Sequence, residues 1–424
     1  MNGLLTDLYE LTMAAGYFEA GKSATRATFE LSIRRLPRNR DYVLVAGIQQ
    51  ALEYLVNLRF TAAEIDYLRT LPQLARASAG YFNYLREFRF SGDVSAVPEG
   101  TVLFAGEPVL MVRAPIIEAQ IPETYLLSTI TFQTLIATKA SLMVRAAGGR
   151  GIVEFGTRRA HTPEAGVLGA RAAYIAGCVG TSNTLAGFRF GIPVMGTCAH
   201  SWIMSYASEQ EAFRRLQGLL GQYTIQLVDT YDPLEGTRRA AALGPPLWGI
   251  RLDSGDFDAL SRQARAILDG AGLRDAKIMA SGDLDERRIG ELVAAGAPID
   301  AFGVGTELAT SADAPSMGAI YKLVELEGRY TAKWSEEKAS LPGAKQLFRF
   351  PDRDVLALAD ENCPRGAEAL LRPVIVRGQW VGDTPDPAAI RRYAAESVKR
   401  VAPRPLEFSG ALTTLVKRMR EEHK

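Results

Sequence analysis

The hydrophobic pattern changes character twice along the chain. Near the start, Leu8, Leu11, Ala15 and Phe18 recur at helical spacing behind Thr6 as a possible N-cap. Asp7 and Glu10 lie in the first turn and Gly21 stands as a stop, which predicts a short helix. ATFELSIRR alternates as a strand does, YVLVAGIQQALEYLVNL begins apolar and moves to helical period, and residues 73 to 90 read as helix. From 91 to 113 the chain is β-branched and broken by Pro and Gly every few residues, which predicts a small sheet domain with hairpins. IPETYLLSTITFQTLIATKASLMVRAA then reads as long helix.

The second change comes near residue 150. Short apolar runs recur as GIVEF, GCVGTS, GIPVMG, YTIQLVD, LWGIRLD, AKIMAS and IDAFGVG, separated by amphipathic segments. In one of these, Phe257, Leu260, Ala264, Ile267, Leu268 and Ala271 share a stripe; another opens on a capping box, Ser208 and Glu211. Strands apolar throughout and joined by helices imply a parallel sheet covered on both faces. About seven such units favour a closed or nearly closed α/β barrel. An open doubly wound sheet is the alternative, but no GxGxxG opens a first βα turn. From YKLVELEGRYTAKWS to RPVIVRGQW the pattern returns to strands and turns, expected to pack on the N-terminal sheet domain. The expected division is an N-terminal α/β domain over 1–133, a barrel over 134–335 and a returning C-terminal segment over 336–424.

Composition narrows the class. The 424 residues are 47% hydrophobic and 23% charged, with 49 basic against 48 acidic side chains. A formal charge of +1 provides no global field for nucleic acid or an anionic membrane, so any anion site is local. No apolar run reaches the ~18 residues of a membrane span, and the acids of MNGLLTDLYELT do not suit a signal peptide, so a cytoplasmic location is expected. Cys178, Cys198 and Cys363 lack CxxC or Cys/His spacing and read as free thiols.

In a β/α barrel, chemistry collects where strands end, because those loops converge on one mouth. Here the strand ends read FGTRRAH, GTSNTLAG, GTCAHS, VDTYD, RLDSGD, ASGDLDE and GVGTEL. Any one of them is accounted for by capping and turn formation; seven together form a pattern. Ser281-Gly282 and Gly303-Val304-Gly305-Thr306 present bare amides and hydroxyls suited to phosphate oxygens. Asp229, Asp253 and Asp283 suit ribose hydroxyls or a phosphate-bridging magnesium. Arg158 and Arg159 are adjacent, so one is expected to bind an anion and the other to form a salt bridge. Together these residues imply a sugar-phosphate substrate with metal, in a lyase, an isomerase or a transferase. His200, in the same mouth, can serve as acid, base or nucleophile. His161 reads as a supporting residue and His423 as solvent-exposed.

The ordered set LTDLYELTMAAGYF, EFGTRRAH, GTSNTLAG, GTCAHSW, VDTYD, GIRLDSGD, GVGTEL and YKLVE resembles nicotinate phosphoribosyltransferase from residue 4 to about 350. The resemblance implies a type II phosphoribosyltransferase: a central α/β barrel, an N-terminal α/β sandwich-like domain completed by C-terminal strands, and a homodimer. It implies joining of nicotinate to 5-phosphoribosyl-1-diphosphate with release of diphosphate, driven by ATP with Mg2+, in NAD salvage. By the same resemblance His200 becomes a phosphohistidine, beside Ser201. Tyr9 stacks on the pyridine ring from the neighbouring subunit, while Thr197 and Arg251 contact nicotinate. Arg158 and Arg159 lie near carboxylate or diphosphate, and Asp253 and Asp283 orient ribose hydroxyls or magnesium. Thr306 holds the 5-phosphate with Ser281, Gly282, Gly303 and Gly305. For Lys338, Lys345 and Arg349 a phosphate-facing role stands against an ordinary charged hairpin. Quinolinate and nicotinamide phosphoribosyltransferases are the nearest alternatives. Quinolinate needs more basic residues, and neutral nicotinamide has no use for a ring-pocket arginine. A non-catalytic nucleotide-sensing barrel is the alternative outside enzymes.

Overall fold

The computed structural model describes residues 2–334, 340–402 and 404–422. The chain forms two compact units, one of residues 1–135, 316–385 and 396–424, the other of 136–315 and 386–395.

The first unit holds a seven-stranded antiparallel sheet in which the long strand Arg26–Arg35 pairs with Gly318–Leu326 on one side and with the central strand Pro108–Pro115 on the other. Asp93–Ala96 and then Arg372–Val376 continue it, so strands late in the sequence complete the N-terminal sheet, as the resemblance implied. The opening helix is Leu8–Glu19. Its N-cap is Asp7 rather than Thr6: the Asp7 N–H donates to the Glu10 carboxylate at 3.3 Å, while the Thr6 hydroxyl donates to the Ile121 carbonyl at 2.8 Å. Thr6 is spent on a distant contact and cannot cap. Gly21, at φ +69°, ends the helix as expected.

A smaller four-stranded sheet holds Lys345–Arg349 and Asp354–Leu358. Here the phosphate-facing expectation fails. The Lys345 ammonium is buried against Glu30 at 2.9 Å and donates to the Leu341 and Gly343 carbonyls, and Arg349 grips Asp354 through two nitrogens. Both cations are consumed inside the unit. Lys338 and His423 lie outside the described residues.

The helix Glu123–Ala146 leads into the second unit. There the six parallel strands Gly151–Glu154, Gly180–Thr181, Ile225–Leu227, Gly249–Leu252, Lys277–Ser281 and Ala301–Val304 curve into an irregular barrel. Gly151–Glu154 pairs with Ala301–Val304, which joins the first strand to the last. The third apolar run, GIPVMG, is not a strand: it joins by a single bridge, Val194 to Thr181. Among the described residues no ladder links that run to Ile225–Leu227, so the barrel has one seam. Proline at 193 and glycines at 191 and 196 explain the weak pairing. Val153, Ile225, Met279 and Ala301 fill the interior, with Phe155, Met195 and Trp248 packed against them.

The outer helices follow their apolar stripes. Phe257–Gly270 buries Phe257, Ser261, Ala264 and Leu268, with Asp256 capping through two N–H bonds; Ala271, expected on the stripe, is exposed past the helix end. Ser208 caps Glu209–Leu220 by accepting from the Glu211 N–H. Among the described residues no helix is long and apolar enough to cross a membrane.

Candidate active site

Arg251 ends the strand Gly249–Leu252 and points four ways. Its Nε donates to Ser281 Oγ at 2.6 Å, one terminal nitrogen donates to Thr197 Oγ1 at 2.8 Å and to the Cys198 carbonyl at 3.4 Å, and the other pairs with Asp253. Its guanidinium also lies 5.7 Å from the centre of the Phe155 ring. A planar fork suits this task, because three strand-end loops are tied by one rigid group.

Asp253 completes the arrangement. Its Oδ1 accepts from Arg251 and Ser281, and its Oδ2 lies 3.7 Å from His200 Nε2. Burial pushes its carboxyl pKa up, but the Arg251 guanidinium, the Ser281 bond and His200 together outweigh burial and hold it below the usual carboxylate range. The Asp253 N–H and the Ser254 hydroxyl both bind Asp229 Oδ2, at 3.0 and 2.7 Å. Asp229 thus fixes the loop.

His200 opens the short helix His200–Met204, and its Nδ1 lies 3.1 Å from the Thr230 hydroxyl. Its side chain is 39% exposed, neither sealed in the core nor free in solvent.

Two cavities meet at this cluster. One, of about 580 Å³, is lined by Arg158, Met195, Thr197, Cys198, His200 and Leu227 among others. The second, of about 220 Å³, is more polar and is lined by Arg158, Arg159, Ser281, Gly282, Asp283, Gly303, Gly305 and Thr306. Phe155, Arg158, Arg251 and Asp253 line both. Both arginines of the GTRR turn face the smaller cavity, and neither forms an ion pair among the described residues, contrary to the expectation of one inward and one bridging. A 3-10 turn, Thr157–Arg159, presents them side by side.

Backbone geometry shapes the smaller cavity. Gly282 and Asp283 adopt φ of +99° and +47°, turning successive amides into a concavity of the kind that suits anions. A Cβ on Gly282 would lie 2.2 Å from the Asp253 carbonyl, so only glycine fits.

Two of the predicted site residues are not among those lining either cavity. Ser201 is exposed at the second position of its helix and lines neither cavity. Tyr9 belongs to the first unit, 46% exposed and hydrogen-bonded to Glu123. His161 is exposed just before the N-cap Thr162.

Several contributors escaped the sequence reading. Glu154, buried at the end of Gly151–Glu154, accepts from the Thr181 hydroxyl at 2.5 Å and from the Gly156 N–H; burial raises its carboxyl pKa. It anchors the turn that carries the arginines. The acid inside the apolar run GIVEF was the available signal. Phe155, Cys198 and Thr230 gave none, because ordinary residue types become site residues only through three-dimensional neighbours. All three cysteines are free, as expected.

No group of three or more His, Cys, Asp or Glu side chains among the described residues is arranged to hold a metal ion. The donor set suits a magnesium that shares one or two carboxylates with substrate phosphates. Asp253 and Asp283, both lining the smaller cavity, are the carboxylates that could hold such an ion.

Comparison with known proteins agrees with this geometry. The model for the nicotinate phosphoribosyltransferase N-terminal domain matches residues 4–131, and that for the quinolinate phosphoribosyl transferase C-terminal domain matches residues 136–315. A nicotinate phosphoribosyltransferase of Mycobacterium tuberculosis is 42% identical over 424 residues, covering 97% of this chain and 90% of the relative. One from Bacillus subtilis is 44% identical over 379 residues, covering 85% and 76%. The crystal structure of human nicotinic acid phosphoribosyltransferase superposes with a TM-score of 0.84 at 27% identity, covering 98% of this chain and 100% of that one. Fold and matched domains define a phosphoribosyltransferase, an enzyme built on an α/β barrel. The chain belongs to the nicotinate phosphoribosyltransferase family.

Proposed function

We propose that this chain transfers the phosphoribosyl group of 5-phosphoribosyl-1-diphosphate to the ring nitrogen of nicotinate, releasing diphosphate, with ATP hydrolysis coupled through His200. The observation that carries this reading is the joined pair of cavities, one partly apolar and large enough for a pyridine ring, the other lined by the phosphate-type loops. They share Arg158, Arg251 and Asp253.

The ring occupies the larger cavity. Its carboxylate is met by Thr197 and by the cationic edge of Arg251 and Arg158, which favours an anionic ring over nicotinamide. Two arginines at that cavity suit one carboxylate better than the two of quinolinate. In the smaller cavity the 5-phosphate takes the amides and hydroxyls of Ser281, Gly282, Gly303, Gly305 and Thr306, with Arg159 beside them. Asp253 and Asp283 orient the ribose hydroxyls. The bond from C1 to diphosphate breaks as the ring nitrogen approaches, so positioning and charge stabilisation, rather than a protein nucleophile on the sugar, lower the barrier. Asp253 and Asp283 would hold Mg2+, which when bound would supply charge neutralisation for the diphosphate.

His200 acts separately, on ATP. With the Thr230 hydroxyl accepting from Nδ1–H, Nε2 keeps its lone pair and attacks the terminal phosphorus. The Nε2–P bond forms as the bond to ADP breaks, and Asp253 steadies the cationic ring. Water later removes the phosphoryl group and resets the site. The active form is a homodimer in which Tyr9 of one copy stacks on the ring bound by the other.

The test is an assay with nicotinate, the sugar diphosphate, Mg2+ and ATP on the parent and on His200→Ala. The parent forms nicotinate mononucleotide faster with ATP, and the variant loses that stimulation. Equal stimulation in both removes the role of His200, and no mononucleotide from the parent removes the reaction.

A further inference from the structure

Lys139 lies on the part of Glu123–Ala146 that belongs to the second unit, and its side chain is 1% exposed. Its Nζ meets Glu286 Oε2 at 2.6 Å and Asp313 Oδ1 at 2.9 Å. These acids come from different loops. Glu286 opens the helix Glu286–Ala294, directly after the turn that carries Ser281, Gly282 and Asp283. Asp313 follows the short helix that begins at Thr306. Its segment is tied back there by the Ala312 N–H to the Glu307 carbonyl at 3.2 Å and the Ser311 N–H to the Leu308 carbonyl at 3.1 Å. One ammonium therefore links two of the loops that line the 220 Å³ cavity, without lining it itself.

Burying a lysine is costly, and a methionine of similar volume would fill the same helix position without a charge to desolvate. What the lysine adds is a fixed separation between two carboxylates, and through them between two backbones. We infer that Lys139 is a positioning residue: it sets the spacing of the Ser281–Asp283 and Gly305–Thr306 loops and so the affinity for the sugar diphosphate. The inference rests on the proposed reading of that cavity as the phosphoribosyl site.

The test compares the parent, Lys139→Met, and the triple variant Lys139→Met, Glu286→Gln, Asp313→Asn in steady-state assays and thermal melts. The single variant strands two acids and melts lower. The triple variant removes those charges, regains most of the melting temperature and still lacks the link. Both are expected to raise the KM for the sugar diphosphate about 10-fold, with the nicotinate KM within about twofold. Should the single variant not fold, the triple variant decides. A folded triple variant with the parent's sugar-diphosphate KM overturns the inference, as does an equal rise in both KM values. A parent without sugar-diphosphate-dependent turnover removes the functional reading, and this inference with it.

Discussion

His200 Nε2 lies 3.7 Å from Asp253 Oδ2, and the other oxygen of that carboxylate is already claimed by Arg251 and Ser281. A change at Asp253 therefore reaches the imidazole, the arginine and the phosphate-type loop together. Asp253→Asn keeps the shape and removes the charge. Its folded carboxyl pKa lies below the ordinary value, so its contribution to stability is present above the unfolded value of about 3.9 and fades as pH falls through the folded one. Melting curves are expected to separate parent from variant at pH 7 and to converge toward pH 3. A constant gap across that range would contradict the charged network.

Arg251→Lys tests the fork. Lysine has one ammonium where Arg251 reaches Ser281, Thr197, Cys198 and Asp253 at once. Losing two charge-assisted bonds, each worth about 1.5–3 kcal/mol, lowers kcat/KM by roughly 100-fold or more. A loss under about fivefold would mean that the fork does not organise the site.

Gly282→Ala places a methyl 2.2 Å from the Asp253 carbonyl on a backbone at φ +99°. The cost is about 1–3 kcal/mol of stability, with loss of turnover. Gly196→Ala is the control: nothing lies within 4 Å of its Cβ, and stability is expected within about 0.5 kcal/mol of the parent. Equal melting temperatures for the two variants would refute the steric reading.

Glu10 makes a prediction for the first unit. Burial pushes its carboxyl pKa up to about 8, although Thr124 and the Asp7 N–H bind it. Between about pH 4.3 and 8 the folded chain holds a proton that the unfolded chain has released, so stability is full below that window and declines as pH rises through it. Glu10→Gln keeps one acceptor oxygen for Thr124, gives up the acceptor for the Asp7 N–H and removes the titration. Its melting temperature is expected to change less between pH 5.5 and 8.5 than the parent's, and parallel profiles would refute the buried acid.

The sequence made the barrel legible because most of its strands fall in short apolar runs that end in small or charged residues. The late strands were legible as strands by their pattern, and their place in the first sheet from the resemblance. What misled was local plausibility. Thr6 looked like a cap but is held by the Ile121 carbonyl, and Lys345, open between a phosphate-facing role and an ordinary charged hairpin, neutralises Glu30. GIPVMG had the composition of a strand, yet makes one bridge. For Thr6 and Lys345 a partner far along the chain decided the outcome; for GIPVMG the local proline and glycines did. The loops that build the two cavities were readable as a set, whereas Glu154 and Thr230 act only through contacts that no spacing encodes.

The seam between Val194 and the strand Ile225–Leu227 falls beside the segment that bears His200. No backbone ladder crosses that seam among the described residues, so side chains hold the segment in place: Arg251 on Thr197 and the Cys198 carbonyl, and Thr230 on His200. The imidazole proposed to gain and shed a phosphoryl group is therefore placed by side chains, whereas the loops proposed to hold the sugar grow out of laddered strands.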